Sequence, residues 1–210
     1  AVAGGAAADH DGSYDMREVE IRDGRGESFD LDSAGFVLTD HASGVTDWHD
    51  DAMLSQIYEA EAKALVRRIT GARRIEVFDH TRRAASDSLR RNQVMREPSS
   101  VIHNDYTPWS AERRLRDILP GEAETLLSRR FAIVNIWRSI AGRVETNPLA
   151  FCDSRTLADG DLVEVTRQAK DRIGQIQMAR FNPDHDWVYF PAMEEGEVAL
   201  IKTYDSATDG

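Results

Sequence analysis

An imidazole and a carboxylate two residues apart, His103 and Asp105, are the pairing in this chain best suited to chemistry. They follow a short apolar entry, Val101-Ile102, that reads as a strand. On a strand, residues i and i+2 leave the same face, so the two groups would stand side by side with Asn104 turned away. A neutral imidazole and an ionised carboxylate are two of the three donors in the 2-His-1-carboxylate arrangement, which holds non-haem Fe(II) and leaves coordination positions open. The plain alternative is a solvated His and Asp beside the turn at Thr107-Pro108. Tyr106 would sit at the edge of the same site, either hydrogen-bonding a ligand or packing on the rim.

A second group lies in the apolar run Phe131-Ala-Ile-Val-Asn-Ile-Trp137. Asn135 and Trp137 share one face of that strand. A buried Asn without a hydrogen bond costs about 1–3 kcal/mol, so Asn135 must find a ligand, a metal-bound water or a backbone partner. Arg138 could clamp a carboxylate through two parallel bonds or pair with one of the 37 acidic residues. For a third metal donor the fallback candidates are His185, in a turn before a strand, and His80, at a strand end. His10, His41 and His49 read as surface residues. Cys152, the one cysteine, sits in an apolar strand and reads as core filling rather than as a nucleophile.

The elements that must position these groups are mostly strands. Residues 1–15 read as a disordered or extended arm and residues 16–210 as one domain. Glu18–Ile21, Gly35–Leu38, Arg74–Phe78, Phe131–Trp137, Leu149–Cys152, Asp161–Val165, Gly174–Phe181, Trp187–Phe190 and Glu197–Tyr204 carry strand patterns. From about Asp50 to Thr70, Leu54, Tyr58, Ala62, Leu65 and Ile69 recur at three or four residues and predict a helix, with Asp47 as a plausible N-cap and Gly71 as the stop. Two short helices, 109–119 and 122–128, are broken by Pro120-Gly121. The arginine-rich stretch 81–99 reads as a mobile loop at the pocket mouth, suited to an acidic substrate. The fold class expected is mainly β with N-terminal helices, arranged as a jelly roll.

Composition narrows the partners. At 210 residues, 41% hydrophobic, the chain can bury a core, and it has no apolar run of the ~20 residues a membrane span needs. A net charge of −11 argues against a nucleic-acid partner. A single cysteine precludes an internal disulfide and suits a reducing, cytoplasmic setting.

Five ordered blocks add a resemblance: Val77-Phe-Asp-His-Thr81, Val101-Ile-His-Asn-Asp-Tyr-Thr107, Phe131-Ala-Ile-Val-Asn-Ile-Trp-Arg138, Pro148-Leu-Ala-Phe-Cys-Asp153 and Ala199-Leu-Ile-Lys-Thr-Tyr-Asp-Ser206. Together they resemble the CmcJ/NvfI/AsaB-type oxidoreductase family, over roughly residues 16–210. The resemblance implies a double-stranded β-helix (a cupin-like jelly roll), Fe(II) and 2-oxoglutarate as cofactors, O2 as co-reactant and a small secondary-metabolite-type substrate to be hydroxylated or desaturated. On it, His103 and Asp105 carry over as iron ligands, and Asn135 and Arg138 match the family's Asn-x-Trp-Arg block. The family's distal His follows the strand matching Glu197–Ser206, so the third ligand is expected beyond Gly210 and the chain is expected to be truncated. Two readings compete with the oxygenase: a non-catalytic jelly-roll module binding a small molecule, and a metal-dependent hydrolase in which a divalent ion activates water.

Overall fold

The computed structural model describes residues 16–84, 95–96, 98–99, 101–169 and 172–207. The expected arm at 1–15, most of the arginine-rich loop and the chain end at 208–210 lie outside them. The described residues are sheet-rich with few helices, as the sequence pattern requires.

The helix of the first half starts where Asp50 caps it, its carboxylate accepting from the backbone N–H groups of Ala52 and Met53. Asp47, the cap expected from sequence, instead accepts from the His49 N–H one turn earlier. From there α1 (Asp51–Met53) runs through a π-helical stretch (Leu54–Tyr58) into α2 (Glu59–Thr70). Gly71, at φ 69°, ends it in the left-handed conformation that costs glycine least. After β3 come α3 (Pro108–Ile118), with Pro108 in its first turn and a reciprocal Thr107–Ser110 capping box, and α4 (Ala123–Leu127).

Nine strands, β1 (Ile21–Asp23), β2 (Phe36–Asp40), β3 (His103–Asn104), β4 (Ala132–Arg138), β5 (Ala150–Cys152), β6 (Leu162–Ala169), β7 (Arg172–Ala179), β8 (Trp187–Tyr189) and β9 (Glu197–Asp205), make three three-stranded sheets among the described residues. Their orders are β1-β8-β5, β2-β9-β4 and β3-β7-β6. All pairings are antiparallel except β1 with β8. One expected strand is corrected. Arg74–Phe78 alternates in sequence like a strand but joins no ladder. Its polar residues are taken up by side-chain pairs instead: Arg74 bonds Glu76 and Glu122, while Val77 packs beneath against the helix.

The central sheet β2-β9-β4 is covered on both faces, so β9 is buried or half-buried along its whole length and carries the apolar run Val198–Ile201. On one face Phe36, Ala199 and the half-buried Leu38, Trp137 and Ile201 meet Phe29, Phe151, Val188 and Phe190 from the β1-β8-β5 side. On the other, Val198 and Leu200, with Val37, Val134 and Ile136, pack on Leu65, Val66 and Ile69 of α2. β1 leads into this core through Gly24, whose N–H bonds the Tyr189 carbonyl. A Cβ there would collide with Val188 Cγ1 and press on Phe190 and Phe29. Gly24→Ala is therefore expected to cost about 1–3 kcal/mol as an overpacked site, read as a fall of several degrees in Tm; an unchanged Tm would contradict the packing described.

β9 ends in an ion cluster. Asp205, 1% exposed, accepts from Arg130 at 2.6 Å and from Lys202 at 3.1 Å. Burial pushes its carboxyl up, but these bonds and the Ala207 N–H outweigh burial and hold it at about 2. A carboxyl depressed in the folded state adds stability above its unfolded value of about 3.9, and that stability is lost as pH falls toward 2. Asp205→Asn is expected to lower stability by roughly 2 kcal/mol at pH 7 and by clearly less at pH 2.5, as followed by urea unfolding at the two pH values.

Candidate metal centre

β3 is only two residues long, with His103 opposite Met178 and Asn104 opposite Gln177 of β7. The expected strand entry at Val101-Ile102 is not laddered. The side chains nonetheless leave as the i, i+2 argument requires. His103 Nε2 stands 3.3 Å from Asp105 Oδ1. Asn104 turns the other way, and its amide lies 2.9 Å from the Tyr106 carbonyl, 2.8 Å from Gln177 Oε1 and 2.9 Å from the Thr203 carbonyl. One asparagine thus ties the turn to both β7 and β9.

Two further bonds orient the pair. His103 Nδ1 lies 2.8 Å from the Val101 carbonyl, which can only accept, so Nδ1 carries the proton. That leaves Nε2 as the nitrogen facing Asp105. From β4, Asn135 Nδ2 donates to Asp105 Oδ2 at 2.6 Å. Burial alone would raise the Asp105 carboxyl, but hydrogen bonds from His103 and Asn135 hold it below the usual carboxylate range, with the Arg83 guanidinium adding to the effect. The carboxyl is therefore ionised at neutral pH.

This geometry fits a divalent ion. With Nδ1 protonated, Nε2 is the atom that His103 turns to the carboxylate oxygen, as a donor when it carries a proton and as a lone pair when it does not. Such a pairing calls for a proton or a metal cation between the two atoms. Two donors bound side by side to one ion with bonds of about 2.1 Å stand ~3 Å apart, close to the separation found here. Among the described residues no group of three His, Cys, Asp or Glu side chains converges. The fallback donors are engaged elsewhere. His185 Nε2 lies 2.9 Å from Asp161 Oδ2, and His80 sits 3.7 Å from Glu59, its ring against Tyr58.

The other candidate residues divide. Asn135 and Trp137 share a face, as expected. The half-buried Asn135 donates to the Asp105 carboxylate, and Trp137 packs against the core beside Phe36 and Phe151. Tyr106 is half-buried against Ala111, Ile133 and Tyr204. Arg138 does not join them. Three residues beyond Asn135 on the same strand, it leaves the opposite face of β4, where its guanidinium lies 4.6 Å over the Trp48 ring and 5.7 Å from that of Tyr58 and donates to the Glu195 carbonyl. A substrate clamp beside Asn135 is not what this placement provides. His41, expected at the surface, is half-buried under Arg138. Of the arginine-rich loop, Arg82 is committed to the Trp48 carbonyl and Asp51. Cys152 is half-buried, and burial pushes its thiol up to about 11, which suits a filler rather than a nucleophile.

Sequence reasoning missed the Asp161–His185 pair, closed by Asn182 and the Ala158 N–H around one carboxylate oxygen. Its members lie in separate turns 24 residues apart, and no local spacing marks them.

Known proteins resemble the chain over most of its length. The profile of a family described as an oxidoreductase/YMDC permease-like domain matches residues 3–210. The hydroxylase/desaturase CTB9 of Cercospora beticola is 30% identical over 94% of this chain and 68% of its own length. The Fe(II)/2-oxoglutarate-dependent dioxygenase nvfI of Aspergillus novofumigatus is 30% identical over 92% of this chain and 72% of its own. Among solved structures, the iron and alpha-ketoglutarate-dependent endoperoxidase NvfI superposes with a TM-score of 0.81 at 28% identity, covering 90% of this chain and 72% of that one.

Proposed function

The chain belongs to the oxidoreductase/YMDC permease-like domain family, and from that premise we propose that it is a non-haem Fe(II)- and 2-oxoglutarate-dependent oxygenase acting on a small molecule. The observation that carries this reading is the convergence of His103 Nε2 and Asp105 Oδ1 at 3.3 Å. Relatives named as Fe(II)/2-oxoglutarate dioxygenases and as hydroxylase/desaturases support it. The three sheets are read as parts of a double-stranded β-helix, on the strength of the likeness to NvfI.

On this reading His103 and Asp105 hold the iron. Bound together, Fe(II), 2-oxoglutarate and O2 supply the oxidising power for hydroxylation or desaturation of a C–H bond. The protein's own groups orient and seclude. The Val101 carbonyl fixes the His103 tautomer, the usual way a protein aims an imidazole at a metal. Tyr106, next in the chain to Asp105 and packed on Ile133 and Tyr204, and Trp137, on the face of β4 that carries Asn135, are read as apolar wall of the site. The lone half-buried thiol accords with a reducing, cytoplasmic setting.

The test is turnover of 2-oxoglutarate itself, which needs no knowledge of the substrate. Protein supplied with Fe(II), 2-oxoglutarate and O2 should release succinate above the iron-only background, and His103→Ala should not. Succinate at background in both proteins, with a small molecule still retained in the cleft, would favour the non-catalytic binding module. Divalent-ion-dependent hydrolysis without O2 would favour the hydrolase.

A further inference from the structure

The Asp105 carboxylate has two oxygens with different surroundings. Oδ1 faces His103 Nε2, while Oδ2 accepts a 2.6 Å bond from Asn135 Nδ2. The donor reaches it from a rigid place. Asn135 lies mid-strand in β4, in register with Ile201 of β9, which is in turn in register with Phe36 of β2. Phe36 is 1% exposed and stacked on Phe151. The amide is thus part of a row running across the central sheet into the buried core. The turn carrying Asp105 is held from its other side by Asn104, bonded to β7 and β9. The carboxylate sits between these two braces.

We propose that Asn135 is a positioning residue: it occupies Asp105 Oδ2, so that the carboxylate offers a metal ion Oδ1 alone, beside His103 Nε2. This rests on the reading of His103 and Asp105 as metal ligands and replaces the cosubstrate- or substrate-binding role expected for Asn135. A carboxylate free to rotate can bind an ion through both oxygens and fill a position that a reacting ligand needs. An N–H donor on one oxygen blocks that mode and fixes the plane of the group. Hydrogen bonds of this kind to metal ligands commonly set affinity by about 10–100-fold.

The experiment uses Co(II) alone as probe, with affinity and visible d–d absorption measured for the parent protein, Asn135→Leu, Asn135→Ser and His103→Ala, and Tm recorded for each. Leu keeps the branched shape without the donor; Ser covers the case in which the Leu variant does not fold. The proposal expects Co(II) binding about 10–100-fold weaker in the Asn135 variants, with a d–d spectrum altered in position or intensity as the carboxylate changes mode. A merely structural role would lower Tm and leave the spectrum of the bound Co(II) as in the parent. Unchanged affinity and spectrum in a folded Asn135 variant overturns the proposal and leaves the metal site standing. Equal binding by the parent and His103→Ala removes the site, and the proposal with it.

Discussion

Asp105→Ala should abolish the rise in Tm that a divalent ion gives the parent protein, with metal affinity reduced by more than ~100-fold. The lower bound follows from the size of outer-contact effects: losing a hydrogen bond to a ligand costs about 10–100-fold, so losing the ligand itself must cost more. A ligand that binds only the folded state raises stability by RT ln(1 + [L]/Kd), about 2.7 kcal/mol at one hundred times Kd. That increment should be visible in the parent and absent in the variant. Without added metal the variant should differ little from the parent. Removing Asp105 leaves the half-buried Asn135 amide without its carboxylate, but the Asp105 side chain is 41% exposed, and water can take the place of a bond made there. Thermal shift with and without Co(II) separates the two effects. A variant that is still stabilised by Co(II) as the parent is would place the ion elsewhere.

The second large effect is expected in the core beneath the site. Phe36 stacks on Phe151 at 4.9 Å between ring centroids, lies tilted against Phe29 at 4.7 Å and meets Phe190 at 6.1 Å. Phe→Ala at such a position costs about 3–5 kcal/mol, transfer and cavity together. Against a total stability of about 5–15 kcal/mol this is a large share. At about 2–4 °C per kcal/mol for a chain of this size, Tm should fall by roughly 6–20 °C. Because Phe36 lies in the row of Ile201 and Asn135, the loss should reach the site as well. Amide exchange in β4 and β9 should rise together, ahead of exchange in α3. A loss confined to β2 would mean that the row is not a mechanical unit.

What is legible in the residues, and what is not, follows from how local each signal is. The helix ending at Thr70 is legible because its apolar face repeats every three or four residues and Gly71 can take the left-handed stop. The pairing of His103 with Asp105 is legible as an i, i+2 spacing, although β3 covers only His103–Asn104 and Asp105 follows it in a bend. Arg74–Phe78 shows the limit of the same rule. Alternation marks a strand only where a neighbouring edge exists, and here the partners are Glu76 and Glu122 side chains. The need for Asn135 to be hydrogen-bonded follows from its apolar neighbours, but its partner is thirty residues away and carries no local signal. The separation of Arg138 from Asn135 is written in the spacing, although grouping the two as one site overlooks it. Residues three apart on a strand point to opposite faces, and that rule alone sets them apart.

Whether His103 and Asp105 together hold Fe(II) is decided by an anaerobic titration of Fe(II) into the protein with 2-oxoglutarate present. Joint ligation predicts a weak visible charge-transfer band that saturates with iron and is missing from both His103→Ala and Asp105→Ala. A band of equal strength in either variant, or none in the parent at saturating iron and 2-oxoglutarate, would contradict it.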